Sequence, residues 1–223
     1  MIWRRLTVCS LALAGIAAGQ DAATGWHEGF EAGWQDRWNE QRLAARSTEF
    51  MASVRDGADV LRVESRGSAG ALIRRVELAP QDPRVSWRWF LDRAIPASPG
   101  TDSNERSRAG DDYAARVFVI FGTDLGNDET RALCYVWARD LPIGTTFPSP
   151  VADRIQMLVV RSGTEELGAW QTESVDPVAD YRRVFGNTAP AIGAIGVMSD
   201  TDDTSSQSAM LFDDIRVSGV DRQ

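Results

Sequence analysis

Nine short runs rich in Val, Ile, Phe, Trp and Tyr leave this chain few folds to choose from. They lie at residues 60–64, 71–76, 85–91, 114–121, 133–139, 155–161, 169–175, 192–198 and 209–217, bounded by Gly, Pro, Asp and Ser. Branched and aromatic side chains suit a pleated, half-buried surface, and runs of this length between turn formers read as strands. Helix start and stop signals coincide in one place only. Asp176 can cap, Pro177 takes the first helical position and Gly186 follows the end, with Val178, Tyr181, Val184 and Phe185 on one face. This pattern predicts an all-β fold, an antiparallel β-sandwich of jelly-roll type with one short helix. Two aperiodic stretches, 97–110 and 122–130, are expected as loops at one rim, where binding residues concentrate.

Arg4 and Arg5, an apolar stretch over 6–18 and the small residues Ala17, Ala18 and Gly19 form a three-part export signal. Residues 1–19 are therefore expected to be a signal peptide and 20–223 a single domain, periplasmic or secreted. The stretch is shorter than the roughly 20 residues a spanning helix needs, and no membrane span is expected elsewhere. Loss of the signal removes Cys9 and leaves Cys134 alone, so no intrachain disulfide can form. The chain has 24 basic and 32 acidic side chains, and cleavage removes two arginines, giving 22 − 32 = −10. Such a charge disfavours nucleic acid and anionic membranes as partners. There is no lysine, which excludes Schiff-base chemistry, and the single histidine, His27, excludes histidine-clustered zinc.

Candidate site residues follow from alternation and charge. In the run 85–91 the period-2 rule sets Trp87 and Trp89 against Arg88 and Phe90. In 133–139 it separates Tyr135 and Trp137 from Cys134, Val136 and Ala138. The small set is expected to face the core, leaving Tyr135 and Trp137 to line an open face that could stack on sugar rings; core packing of both rings is the competing reading. Arg116 sits in a strongly apolar strand just after Asp111 and Asp112. A buried guanidinium needs an acid, so it either pairs with Asp112 or Glu173 to fix the sheets or offers its donor fork to a ligand. Asp200, Asp202 and Asp203 crowd a turn between the last two strands, read as a hairpin, where they could hold calcium or act as ordinary turn formers.

Asp213-Asp214-Ile215 near the C-terminus, taken with Phe30-Glu31 near the mature start, resembles the ends of galactose-binding-like carbohydrate modules. That resemblance implies a structural calcium between the first and last strands, with Glu31 and Asp213 as metal ligands; Asp203 of the acidic turn is the third metal-ligand candidate. The motifs Trp87-Arg88-Trp89, Asp111-Asp112-Tyr113, Tyr135-Val136-Trp137, Arg161-Ser162-Gly163, Asp180-Tyr181-Arg182 and Asp200-Thr201-Asp202-Asp203-Thr204, in this order, are similar to a bacterial exported family classed as domain of unknown function 3047. The resemblance runs from about Trp26 to the C-terminus and implies an exported single domain.

The first functional expectation is a binding module for a glycan or another cell-envelope component, with Arg88, Asp112, Arg116, Tyr135, Trp137, Glu173, Asp200 and Asp202 at the ligand. The second is a hydrolase or lyase on polysaccharide, with carboxylates, Arg116 and Tyr135 in one cleft. The third is a structural envelope protein that binds another protein. No Gly-x-Ser-x-Gly elbow is present, and Cys134 reads as an inert thiol.

Overall fold

A computed structural model describes residues 25–78, 83–96, 105–122, 124–125 and 128–219; the predicted export signal lies outside them. Among the described residues, thirteen strands form two facing sheets. Sheet A contains β1 (Gly25–Glu28), β3 (Glu49–Arg55), β4 (Ala58–Arg66), β6 (Pro83–Arg93), β11 (Trp170–Val175) and β13 (Gln207–Gly219). Its order is β11-β6-β13-β4-β3, and β1 pairs with the later half of β13. Sheet B runs β2-β5-β12-β7-β8-β10-β9, from β2 (Asn39–Arg42), β5 (Ala69–Leu78), β12 (Ile192–Asp200), β7 (Ala115–Phe121), β8 (Arg131–Ala138), β10 (Ile155–Ser162) and β9 (Thr146–Pro148). Pairing is antiparallel except between β8 and β10. The fold is an all-β sandwich of jelly-roll type, with a single α-helix among the described residues.

That helix, α1 (Pro177–Phe185), is bounded as its local chemistry requires. The Asp176 carboxylate accepts from the Ala179 amide, and Gly186 closes the end at φ 74°. Tyr181 packs on Phe121 and Phe185, which seats the helix over one end of the sandwich.

The inter-sheet core is built on aromatics. Trp87 and Trp89 point inward from β6 and meet Tyr135 and Trp137 from β8, with ring centroids 5.5 and 5.6 Å apart. Tyr135 and Trp137 therefore do not line an open face. Alternation separated the two sets correctly, but large rings fill the gap between the sheets. The small set, Cys134, Val136 and Ala138, lies on the outer face of sheet B, where Tyr113, Phe118, Phe147, Met157 and Met198 form a second buried apolar layer. Both faces of sheet B are covered, so apolarity alone could not tell which faced the other sheet.

Charged ties join the two sheets at their sides. Glu28 of β1, almost fully buried, accepts from Arg37 at 2.7 Å, from Trp38 Nε1 at 3.0 Å and from Arg74 of β5. Glu173 of β11 accepts from Arg161 of β10 at 2.6 Å and from Trp89 Nε1 at 3.2 Å. One close approach demands glycine: a Cβ on Gly193, at an irregularity in β12, would lie 2.0 Å from the Gly122 carbonyl oxygen.

Two expectations about connections are corrected. The acidic turn is not a hairpin, because β12 lies in sheet B and β13 in sheet A, so the turn carries the chain across the sandwich. The described parts of the two aperiodic stretches, 105–110 and 122, 124–125 and 128–130, are not at one rim either. They precede and follow β7, and a strand of that length holds its two ends roughly 20 Å apart. Residues 97–104, 123 and 126–127 lie outside the described part.

Candidate binding cleft

The segment 105–114 runs over the outer face of sheet B and is pinned by carboxylates. Glu105 is buried and accepts from the backbone amides of Arg139, Asp140 and Leu141 at 2.7, 2.9 and 3.1 Å. Tyr113 donates its hydroxyl to the Glu105 carbonyl at 2.9 Å. Asp112 accepts from the amides of Asp203 and Thr204 at 3.3 and 2.6 Å, which ties the segment to the acidic turn. Behind that turn, Ser65 meets Thr201 Oγ1 at 2.9 Å, and the Thr201 amide donates to the Ser68 carbonyl at 2.9 Å.

Arg116 stands at the centre. It projects from β7 onto the same outer face as Phe118 and is 3 % exposed. Its Nε donates to Asp200 Oδ1 at 2.9 Å, and its Nη2 bonds Asp200 Oδ2 and, at 2.5 Å, the Asp111 carbonyl. Nη1 reaches Asp111 Oδ1 at 3.3 Å, and the guanidinium lies 4.6 Å over the Tyr113 ring. Its acids are Asp200 and Asp111, not Asp112 or Glu173. Asp112 is occupied with backbone amides, and Glu173 sits on the edge strand of the other sheet.

One guanidinium faces a surplus of acid. Burial pulls Arg116 down, but Asp111 and Asp200 outweigh it and hold the group well above the ordinary arginine range. Asp111, Asp200, Asp202 and Asp203 shift up as well. Burial raises Asp111 against the pull of Arg116, and burial together with Asp112 raises Asp202. Burial, then Asp202 and Asp112, pushes Asp203 up to about 6. A carboxyl raised in the folded state favours folding when protonated, so this contribution is lost as pH rises from the unfolded value through about 6. Asp203→Asn is therefore expected to stabilise the protein at pH 7.5 and to lose that advantage at pH 4.5. Asp203 is exposed enough for solvent screening to hold the gain to about 1 kcal/mol or less, readable in urea unfolding at both pH values. A gain that persists at pH 4.5 would contradict this assignment.

Beside Arg116 opens a small cleft, part of it continuous with bulk solvent. Phe118, Met198, Ile155 and Leu43 supply an apolar floor, while Asp202, Asp203 and Arg108 supply charged walls. Oxygens of Asp112, Asp200 and Asp202 lie within 4.8 Å of one another, so this cluster could hold a metal ion.

The structure thus brings together Asp112, Arg116, Asp200 and Asp202, with Asp203 beside them. It does not bring the others. Arg88 lies on the outer face of sheet A, donating to Asp213 at 2.9 Å and stacking on Trp170 at 4.5 Å. Tyr135 donates to Asp180 at 2.9 Å, Trp137 to the Gly163 carbonyl at 3.0 Å, and Glu173 ties the sheets. The metal ligand set Glu31, Asp203 and Asp213 does not assemble. Asp213 is taken by Arg88 and the Asp214 amide, Glu31 is exposed, and the one acidic metal-spaced group among the described residues contains none of the three. Sequence reasoning left out Arg108, which fell in an aperiodic loop, and Asp111, adjacent to a chosen residue. Glu105 gave no signal of its own.

The chain is similar to several solved structures at low identity. Cellulose induced protein, Cip1, aligns at 12 % identity and TM-score 0.52, over 87 % of this chain and 97 % of that one. The family 11 carbohydrate-binding module of cellulase Lic26A-Cel5E of Clostridium thermocellum aligns at 9 % and 0.49, covering 89 % and 96 %. The K3 adhesin domain of Lys-gingipain from Porphyromonas gingivalis aligns at 14 % and 0.44, covering 88 % and 100 %. No curated protein sequence matches the chain. The family model described as protein of unknown function (DUF3047) matches residues 36–216, and the chain belongs to that family.

Proposed function

We propose that residues 20–223 form an exported β-sandwich module that binds a glycan in the cleft over the outer face of sheet B. The observation that carries this is the two-sided lining of the cleft. A sugar ring presents carbon-bound hydrogens on its faces and hydroxyls around its edge, and Phe118, Met198 and Ile155 match the first while Asp202, Asp203 and Arg108 match the second. Only the sandwich architecture comes from the similar structures; the ligand class comes from the cleft. The polysaccharide-cleaving constellation of Arg116, Tyr135, Glu173 and Asp200 is not gathered, because Tyr135 is in the inter-sheet core and Glu173 in a side tie. Among the described residues, no helix is long and apolar enough to cross a membrane.

Thermal unfolding against a panel of soluble plant and cell-envelope glycans tests the proposal. A ligand that binds only the folded state at 100 times its Kd adds about 2.7 kcal/mol of stability. At least one glycan is expected to raise Tm, and Asp202→Ala to abolish the rise. A flat panel at millimolar glycan would contradict the proposal.

Calcium is a second reading, favoured by the spacing of Asp112, Asp200 and Asp202. Arg116 already supplies positive charge to Asp200, so an ion would sit toward Asp112 and Asp202 and bind weakly. The expected result is a small rise in Tm at millimolar calcium, reversed by EDTA and lost in Asp202→Asn. Equal Tm in calcium and EDTA would exclude it.

A further inference from the structure

Half of the positive charge lining the cleft is already committed. Of the two arginines lining it, Arg116 spends its guanidinium on Asp200 and Asp111, leaving Arg108 as the cation at the opening. Both Asp112 oxygens are held by amides of the turn. Asp202 and Asp203 form no ion pair among the described residues. A ligand resting on the Phe118 and Met198 floor therefore meets two carboxylates and one arginine. Carboxylates accept hydrogen bonds and offer none, so their natural counterpart is a hydroxyl.

We propose that the cleft selects neutral, hydroxyl-rich saccharides and rejects glycans bearing carboxylates, with Asp202 and Asp203 as the discriminating residues. This rests on the glycan-binding reading and adds its substrate class. A uronate carboxylate brought within a few ångströms of Asp202 and Asp203 meets like charge beside apolar walls, where screening is weaker than in open water. Rejection by an unpaired like charge is a common route to specificity, and here it adds to the attraction that Asp202 and Asp203 offer to hydroxyls. A sugar carrying a free amine escapes the penalty and binds at least as tightly as the neutral one.

The test is isothermal titration in EDTA and low salt, using gluco-oligosaccharides and their glucuronate counterparts of the same length and linkage. The wild-type protein is expected to bind the neutral form at least tenfold more tightly. In Asp202→Asn/Asp203→Asn the ratio of the two affinities falls by at least threefold, with folding checked by thermal unfolding. Raising sodium chloride in the wild type also narrows the ratio. Equal or tighter binding of the uronate, or a ratio that the double variant leaves unchanged, overturns the proposal while the glycan reading stands. Absence of binding by either form, together with a flat glycan panel in thermal unfolding, defeats the glycan reading and the selectivity with it.

Discussion

Arg116→Met is expected to destabilise the protein by about 3–5 kcal/mol, the usual loss when one partner of a buried ion pair is removed. The variant would leave Asp200 and Asp111, both at least 95 % buried, without their shared cation. Acidic neighbours, Asp112 above all, aggravate the loss. Removing the acid together with the base is different. Arg116→Met/Asp200→Leu replaces the pair with apolar volume and is expected to be more stable than Arg116→Met alone, because less unpaired charge stays buried. Denaturant unfolding of the two variants checks this. A double variant no better than the single one would show that the pair acts by positioning the turn, through the Tyr113 amide held by Asp200 at 3.0 Å, rather than by neutralising charge.

Trp89→Ala is expected to cost a similar 3–5 kcal/mol for a different reason, the cavity left by a large ring in a close-packed core. Trp89 is fully buried among Trp87, Trp137 and Phe212, with ring centroids 5.4, 5.6 and 6.4 Å away. Its indole nitrogen also donates to Glu173, so the side tie to Arg161 weakens with it. Trp89→Phe keeps much of the volume and should cost clearly less. Equal losses for Ala and Phe would transfer the main effect from packing to the Glu173 hydrogen bond.

The strands legible in the sequence were those with apolar residues on at least one face. All nine predicted runs fall on strands, and the helix begins and ends at its predicted caps. The missed strands had other reasons. β2 is Asn39-Glu40-Gln41-Arg42, an edge strand with no apolar residue to betray it. β3 is also an edge strand, yet Asp56-Gly57 after it is a tight hairpin signal, and both residues have positive φ, 54° and 80°. That dipeptide could have found β3.

The candidate site was legible only in part. An arginine inside an apolar strand announces a buried charge, and Arg116 is one. Its partner Asp200 lies 84 positions away on a neighbouring strand, so only the pairing of Met198 with Arg116 across β12 and β7 brings them together. Tyr135 and Trp137 failed differently: alternation fixes which residues share a face but not which face meets the other sheet. Arg88 was assigned to a site on its chemistry, and the same chemistry satisfies Asp213 and Trp170 on the far face.

The most direct test of the central claim, that ligand binds over the outer face of sheet B, is an amide and methyl chemical-shift titration of the mature protein. The probe is a soluble neutral gluco-oligosaccharide that shifts Tm. Perturbations are expected at Ile155 and Met198 methyls and at the amides of Asp202 and Asp203, with Trp170 and Arg88 unmoved. Shifts centred on Trp170 and Arg88, with the cleft silent, would place the ligand on sheet A and contradict the account.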